Sequence, residues 1–431
     1  MCRCIRHDSQ DSRTCRAAAG VDSRRVRSHN GRHNRIPRVS GGMHHPRNAG
    51  GLPTTFRRDA PHHCGDLSIA SGRSERTVAR RWQTVCSRDR SIATGTATTK
   101  ETAKRDWRYR SRSVDHSHME PKHEKYERLI ARCASLEPVA CAVVHPCDES
   151  SLRAAVEAAQ AGLIRPVLVG PETKIKRVAA DAKLDLAGLS IVDAPHSEAA
   201  AEAAVRLARE GKVEALMKGS LHTDELMAAV VKRENGMRTN RRISHCFVMD
   251  VPSLEQALII TDCAINIAPT LQDKVHIIQN AIDLAHVFGR TMPRVAILSA
   301  METVNPNVPS TIEAGALCKM ADRGQITGGI VDGPLAVDNA INLTAARIKR
   351  IESPVAGHAD ILVVPDLEAG NMLAKSLTFM AGADAAGIVL GARVPIILTS
   401  RADSLIARQA SCAVAVLIAH SRRVQFEKAV S

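Results

Sequence analysis

The sequence lacks three features that would each indicate a class of protein. No apolar run reaches the length of a membrane-spanning helix, about 18 residues, and residues 1–20 contain no apolar core of signal-peptide type. The cysteines from residue 121 onward show no CxxC spacing, which argues against a zinc site, and no repeat of about 20 to 50 residues is visible. We therefore expect a cytoplasmic protein without a membrane partner, whose cysteines are buried apolar side chains.

The net positive charge of the chain lies entirely in its first 120 residues. Residues 1–120 hold 25 Lys and Arg against 11 Asp and Glu, whereas the remaining residues hold 34 of each sign, so the whole net charge of +14 belongs to the first segment. That segment is rich in Arg, His, Ser, Thr and Gly and shows no sustained apolar period. Since it has too little apolar surface to offset the loss of chain entropy, we expect it to be disordered.

Two interpretations of this basic segment stay open. Clustered arginines neutralise phosphates, so residues 1–120 could bind nucleic acid, and Trp82, Trp107 and Tyr109 could stack on bases. No recognised DNA- or RNA-binding motif surrounds these aromatic residues, however. The alternative is a non-native extension, produced by a misassigned start or a shifted reading frame. The abrupt change of composition favours the alternative, and we do not expect nucleic acid as a partner.

From residue 121 the pattern changes to alternating strands and helices. Apolar runs at Val139–Val144, Pro166–Gly170 and Leu189–Val192 alternate with amphipathic helices, the first of which we expect Ser150 to cap, and residues 335–350 are predicted to form one helix. Strands alternating with helices over short loops predict a parallel sheet covered by helices. The fold class expected from the residues is therefore α/β.

Two apolar runs late in the chain are each followed by polar residues. The runs are Ile361–Val364 and Val394–Leu398. The polar residues are Gly370, Asn371 and Lys375 after the first run, and Ser400, Arg401 and Asp403 after the second. Open α/β sheets place ligands at the carboxyl ends of their parallel strands. We therefore expect both groups to lie at such ends and together to bind a phosphate or acyl group.

A third polar group follows the strand expected at residues 215–217. It consists of Lys218, Gly219, Ser220, His222 and Thr223, just before a predicted helix. Backbone amides at the start of a helix favour an anion, and an ammonium group adds a point charge for phosphate. The alternative is an ordinary strand–helix turn with a solvated lysine.

Several segments, in order along the chain, resemble the phosphate acetyltransferase/phosphate butyryltransferase family. The segments are LMKGSLHTDELM, RRISHCFVMDVP, LIITDCAINIAPTLQDK, RVAILSAMETVNP, GGIVDGPLAVDNAI, SPVAGHAD, PDLEAGNMLAKSL and PIILTSRADS. Together they cover roughly residues 121–431. One such motif would be weak support, but their common order makes the resemblance specific.

The resemblance implies an architecture and a reaction. The fold would have two lobes with parallel-rich sheets, like isocitrate and isopropylmalate dehydrogenases, with residues 121–288 and 387–431 in the first lobe and residues 289–386 in the second. An acyl group would pass between coenzyme A and inorganic phosphate in the cleft between the lobes. The implied partners are acyl-CoA or coenzyme A, phosphate and a second copy of the chain. Coenzyme A would be a substrate, and neither a cofactor nor a metal is implied.

The same resemblance suggests roles for three residues. Ser400 would donate a hydrogen bond to the developing oxyanion, Arg401 would hold the phosphate and Asp403 would take the thiol proton. Acetyl-specific relatives carry SRG and an acidic residue six or seven positions after the serine, whereas here Asp403 follows Ser400 by only three. The SRADS form is more familiar in butyryl-type and fused members, so the length of the acyl chain stays open.

Two rival functions and one further contact are also open. A metal- and NAD-dependent dehydrogenase of the same fold is one rival, and a basic nucleic-acid-binding protein acting through residues 1–120 is the other. Arg238, Arg241 and Arg242 either contact the phosphates of coenzyme A or form a solvated loop.

Overall fold

The structure is a computed structural model that describes residues 123–400 and 403–430. The disorder and the nucleic-acid binding considered for residues 1–120 therefore lie outside the described residues.

The described strands form one mixed sheet. They are β1 (Val139–Val144), β2 (Ile164–Gly170), β3 (Ser190–Asp193), β4 (Ala215–Lys218), β5 (Ser244–Asp250), β6 (Leu258–Thr261), β7 (Arg294–Leu298), β8 (Ile330–Leu335), β9 (Ile361–Val363), β10 (Asp384–Leu390) and β11 (Ile396–Ile397). Their order across the sheet is β3-β2-β1-β4-β11-β10-β5-β6-β9-β7-β8. Most neighbouring strands are parallel, which confirms the α/β class expected from the alternation of elements.

The helices alternate with these strands. They are α1 (Glu124–Ala131), α2 (Glu149–Gln160), α3 (Glu172–Asp181), α4 (Ser197–Arg209), α5 (Thr223–Val231), α6 (Leu271–Val287), α7 (Pro309–Asp322), α8 (Val337–Ile341), α9 (Leu343–Ile348), α10 (Leu367–Met380) and α11 (Leu405–Val430). None of the described helices combines the length and the apolar character needed to cross a bilayer. The cysteines of the described residues are free thiols and, except for Cys318, buried, as expected.

Two helix predictions were wrong in detail. Residues 335–350 do not form one helix, because Asn342 ends α8 and its side-chain oxygen accepts hydrogen bonds from the amides of Thr344 and Ala345, so that it caps a new helix. The cap of α2 is Asp148, whose carboxylate accepts a 2.8 Å bond from the Ser151 amide, whereas Ser150 lies inside the helix.

The middle of the sheet reverses the strand direction three times. β11 pairs antiparallel with β10, β10 with β5, and β5 with β6, whereas β4 is parallel to β11 and β9 is parallel to β6. Because three reversals separate β11 from β9, these two strands run in opposite directions. Their carboxyl ends nevertheless lie level with each other, because Ile397 at the end of β11 and Val363 at the end of β9 belong to one row of paired residues that runs through Ile388, Cys246 and Thr261.

The helices cover the two faces of the sheet differently. One face packs against α1, α2, α3, α6, α7 and α11 in a single apolar cluster. On the other face, α4 and α5 pack in one cluster, and α8, α9 and α10 contribute to a second one. Phe247 of β5 and Ala385 of β10 border the cluster formed by α8, α9 and α10, whereas Val389 of β10 belongs to the cluster formed by α4 and α5. The central antiparallel strands thus lie where these two helical layers separate.

Candidate active site

A cleft of about 500 Å³ opens on the face where the two helical layers separate. Its lining comes from the β4–α5 loop, from β5, from α10 and from the segment after β11. The lining residues are Lys218, Leu221, His222, Thr223, His245, Phe247, Ala264, Asn371, Ala374, Lys375, Thr378, Phe379, Ala385, Leu398, Thr399, Ser400 and Asp403. The cleft therefore combines side chains from four separate parts of the sequence.

Most of the side chains singled out from the sequence meet in this cleft. Those that line it are Lys218, His222, Thr223, Asn371, Lys375, Ser400 and Asp403. Gly219, Ser220 and Gly370 are chain neighbours of lining residues but do not line the cleft themselves. Arg401 lies outside the described residues, so its position relative to the cleft is still a prediction from the sequence.

Helix α10, which follows the end of β9, carries Asn371 and Lys375 to the cleft. The helix begins after Asp366, whose carboxylate accepts a 2.8 Å bond from the Ala369 amide. Asn371 and Lys375 are one turn apart and therefore lie on the same helical face. Gly370 is buried where an added Cβ would lie 2.9 Å from the Asp262 carbonyl oxygen, so its missing side chain lets α10 pack against the turn after β6.

The β4–α5 loop is held tightly against the end of β1. The Gly219 amide donates to the Val144 carbonyl at 2.9 Å, and an added Cβ on Gly219 would lie 2.3 Å from that same oxygen. The Ser220 hydroxyl donates to the His145 carbonyl at 2.7 Å and accepts from the Cys147 amide at 3.2 Å. These contacts give Gly219 and Ser220 a clear structural role, which is to hold Lys218 and His222 in place.

The segment after β11 places a hydroxyl next to a carboxyl group. The Ser400 amide donates a 2.6 Å hydrogen bond to Asp403, and the side chain of Ser400 is exposed. Burial raises the pKa of the Asp403 carboxyl above its ordinary value, and the charge of Asp384 raises it further, against lowering contributions from the Ser400 amide and Arg408. Asp403 thus accepts a proton more readily than an exposed aspartate.

Positive charge in the cleft comes from two lysines on opposite sides. Lys218 is half-buried at the end of β4, and its ammonium group donates to the Gly219 carbonyl at 3.2 Å. Lys375 is exposed on α10. An anion between the β4–α5 loop and α10 would therefore contact a cation on either side.

The three arginines considered either as contacts for coenzyme A phosphates or as part of a solvated loop lie elsewhere. Arg238, Arg241 and Arg242 line a separate cleft of about 480 Å³, in which Arg242 donates to the Asn266 side chain at 2.7 Å. Arg241 also lines a cleft of about 670 Å³ between α6 and α11. None of the three lines the cleft that contains Ser400. Within residues 123–400 and 403–430, no three His, Cys, Asp or Glu side chains are grouped so as to hold a metal ion.

Reasoning from the sequence missed His245 and Phe247, which contribute to the cleft from the middle of β5. Both residues belong to RRISHCFVMDVP, which indicates only a strand. Their spacing of two puts them on one face of β5, opposite buried Cys246 and Val248. The only signal in the sequence that His245 has a functional role was that a histidine precedes the apolar run of β5.

The fold and the cleft define an α/β protein whose cleft is lined by two lysines, and comparisons with known proteins identify its family. The family model for phosphate acetyl/butyryl transferase matches residues 198–416. The chain is 66% identical to the phosphate acetyltransferase of Rhizobium meliloti over 299 residues, which are 69% of this chain and 95% of that protein. It is 39% identical to the phosphate butyryltransferase of Clostridium beijerinckii, over 69% of this chain and 98% of that protein.

A solved structure agrees with these relatives. The branched-chain phosphotransacylase of Enterococcus faecalis matches with a TM-score of 0.59 and 30% identity, covering 65% of this chain and 99% of that one. This chain belongs to the phosphate acetyl/butyryl transferase family.

The close approach at Gly219 leads to a prediction about stability. Gly219→Ala should lower the free energy of unfolding by about 1–3 kcal/mol, because the new methyl group would meet backbone oxygens that cannot move without disturbing β1. Gly315→Ala is the matched control, because Gly315 lies inside α7 with its nearest atom, on Val304, 3.7 Å from the added Cβ. Alanine there should be neutral or stabilising. Urea unfolding of both variants measures the difference, and equal midpoints would contradict it.

Proposed function

We propose that the cleft between α5 and α10 is where this protein carries out the family reaction. The protein is an acyltransferase that moves an acyl group between coenzyme A and inorganic phosphate, converting acyl-CoA and phosphate into acyl phosphate and coenzyme A. We choose this cleft as the reaction site because it brings together a hydroxyl, a carboxyl group and two ammonium groups from three separate segments. The reaction as proposed needs no cofactor, because coenzyme A is itself a substrate.

The proposed chemistry assigns a role to each group. In the direction of acyl-CoA synthesis, the sulfur of coenzyme A attacks the carbonyl carbon of the acyl phosphate. The carbon–sulfur bond forms, the bond to the phosphate oxygen breaks, and the thiol proton passes to Asp403. Ser400 donates a hydrogen bond to the carbonyl oxygen as it becomes negative. Arg401, Lys218 and Lys375 hold the departing phosphate.

The raised pKa of Asp403 supports its role as the base. A carboxylate of ordinary pKa is too weak a base to compete for a thiol proton, and general-base catalysis improves as the pKa of the base approaches the working pH. Burial moves the pKa of Asp403 in that direction. The 2.6 Å contact with the Ser400 amide keeps the carboxyl group beside the serine.

We also propose the two-lobe organisation implied by the family, with residues 121–288 and 387–431 in one lobe and residues 289–386 in the other. Supporting it, β1 to β4 occupy one end of the sheet and β7 to β9 the other, on either side of the antiparallel centre. A homodimer and a cytoplasmic location are predictions from the family and the sequence.

A panel of acyl-CoA donors tests the function directly. We expect phosphate-dependent release of coenzyme A from acetyl-CoA, with propionyl-CoA and butyryl-CoA used less well, because the greater identity is to an acetyltransferase. Thiol release is followed with a chromogenic disulfide, and reactions without phosphate serve as the control. A protein that releases no coenzyme A from any donor would contradict the function, and a preference for butyryl-CoA would contradict only the acyl assignment.

Ser400→Ala should slow turnover by about 10²- to 10³-fold, because one preorganised donor to the oxyanion is lost, while substrate saturation changes little. Ser190→Ala, an exposed serine at the edge strand β3, is the matched control and should be silent. Steady-state kinetics and thermal melts are measured on both variants. A Ser400→Ala protein with normal turnover and a lowered melting temperature would show that Ser400 only caps the segment before α11.

Lys218→Ala and Lys375→Ala should each raise the phosphate concentration needed for half-saturation by about 5- to 150-fold, which corresponds to roughly 1–3 kcal/mol per charge-assisted hydrogen bond. Lys176→Ala removes a lysine that pairs with Glu172 on the surface of α3 and should leave saturation unchanged. Phosphate saturation curves at fixed acetyl-CoA measure the effect. Identical curves for all three variants would show that neither cleft lysine binds phosphate.

A further inference from the structure

His245 is the most unusual side chain of the cleft. It has no exposed area, and neither ring nitrogen has a hydrogen-bond partner among the described residues. It nevertheless contributes to the lining of the cleft that holds Ser400. A buried polar group without a partner costs free energy, and an apolar side chain of similar size would avoid that cost at this position. The ring is therefore better explained by a ligand than by packing.

The position of the ring follows from its neighbour Gly387. An added Cβ on Gly387 would lie 3.0 Å from Nε2 of His245 and 2.3 Å from the carbonyl oxygen of Leu398. Because both atoms lie close to this Cβ position, Nε2 of His245 is within a few ångströms of the Leu398 carbonyl oxygen. Leu398 lies two residues before Ser400. The imidazole and the Ser400 hydroxyl thus belong to adjacent parts of the same cleft.

The chemical state of the ring suits a donor and not a base. Burial lowers the pKa of His245 to about 3, so the imidazole is neutral at physiological pH. A neutral imidazole has one N–H donor and one acceptor nitrogen. It can stabilise negative charge on an oxygen through its N–H without giving up the proton.

We propose that the N–H of His245 donates a hydrogen bond to the carbonyl oxygen of the acyl group, as a second donor beside Ser400. This inference rests on the proposed function of the cleft. As the carbon–sulfur bond forms, the electron pair of the carbonyl π bond moves onto the oxygen, and two fixed donors stabilise it there. No proton leaves His245 in this step, and the thiol proton still goes to Asp403.

Access to the ring depends on Phe247. The two ring centroids are 4.3 Å apart in an edge-to-face arrangement, and Phe247, unlike His245, is only half-buried. Because His245 has no exposed area, a substrate reaches it only when a neighbour shifts, and the Phe247 ring borders the cleft on the same face of β5. Because Gly387 has no side chain, the imidazole can lie close to the Leu398 carbonyl at this point.

Replacing the ring separates a substrate contact from a structural role. His245→Leu should unfold at an equal or higher temperature than the wild type, since it removes unpaired polar atoms, and yet turn over acetyl-CoA about 10²- to 10³-fold more slowly. His245→Gln, whose amide can donate a hydrogen bond, should recover at least tenfold over His245→Leu. Cys246→Ala is the matched control, because its side chain lies on the opposite face of β5 in the buried core, and it should lower stability while keeping turnover.

The outcomes separate this inference from the function on which it rests. A wild-type protein that releases no coenzyme A overturns the function of the cleft. An active wild type with an equally active His245→Leu overturns the role of His245 alone. Should His245→Leu not fold, the wild type decides, because its ¹⁵N-histidine NMR spectrum should show one ring N–H signal moving downfield when acetyl phosphate is added. The His245→Gln spectrum identifies that signal, and a signal that does not move overturns the inference.

Discussion

The three antiparallel pairings at the centre of the sheet are the constraint on which the site depends. In an entirely parallel sheet, connecting helices would cover both faces without interruption. Here β11, β10, β5 and β6 alternate in direction, and the helices of one face divide into two separate layers. The cleft lies where these layers separate, so the reversal of the strands produces both the space and the two walls that face it.

The reversal also explains how distant segments meet. β4 and β11 run in the same direction, and their carboxyl ends bring Lys218 and Ser400 to one side of the cleft. β9 runs in the opposite direction, so it approaches the cleft from the other side and ends level with the end of β11. Helix α10 begins shortly after that end and brings Asn371 and Lys375 to the cleft.

Reasoning from the sequence succeeded where one local pattern determines the structure. The strand at Val139–Val144 was placed correctly because it is a continuous apolar run between Pro138 and His145. β10 was not foreseen, because its sequence DAAGIVL begins with small residues that have low strand propensity. Its central position depends on tertiary contacts. β10 pairs with β5 on one side and with β11 on the other, and Gly387 has no side chain that would block the close approach of the Leu398 carbonyl.

Local sequence patterns likewise predicted only part of the candidate site. Hydroxyl, ammonium and carboxyl groups next to glycines after apolar runs were visible in the sequence, and most of them do line the cleft. The relative direction of β9 and β11 was not visible, because it is set by how many antiparallel neighbours lie between them. His245 was not visible as a site residue either, because its importance comes from having no partner, which only the packed structure can reveal.

The distribution of charge decides how an acyl phosphate would lie in this cleft. The two ammonium groups are half-buried or exposed, while the neutral imidazole of His245 is fully buried near Phe247 and Leu398. A phosphate dianion loses less hydration beside exposed cations than it would at the apolar floor, where its desolvation would cost far more. The acyl group has no charge and loses little by entering the floor. The phosphate should therefore stay at the rim and the acyl group should point inward, which puts the carbonyl oxygen between Ser400 at the rim and His245 beneath it.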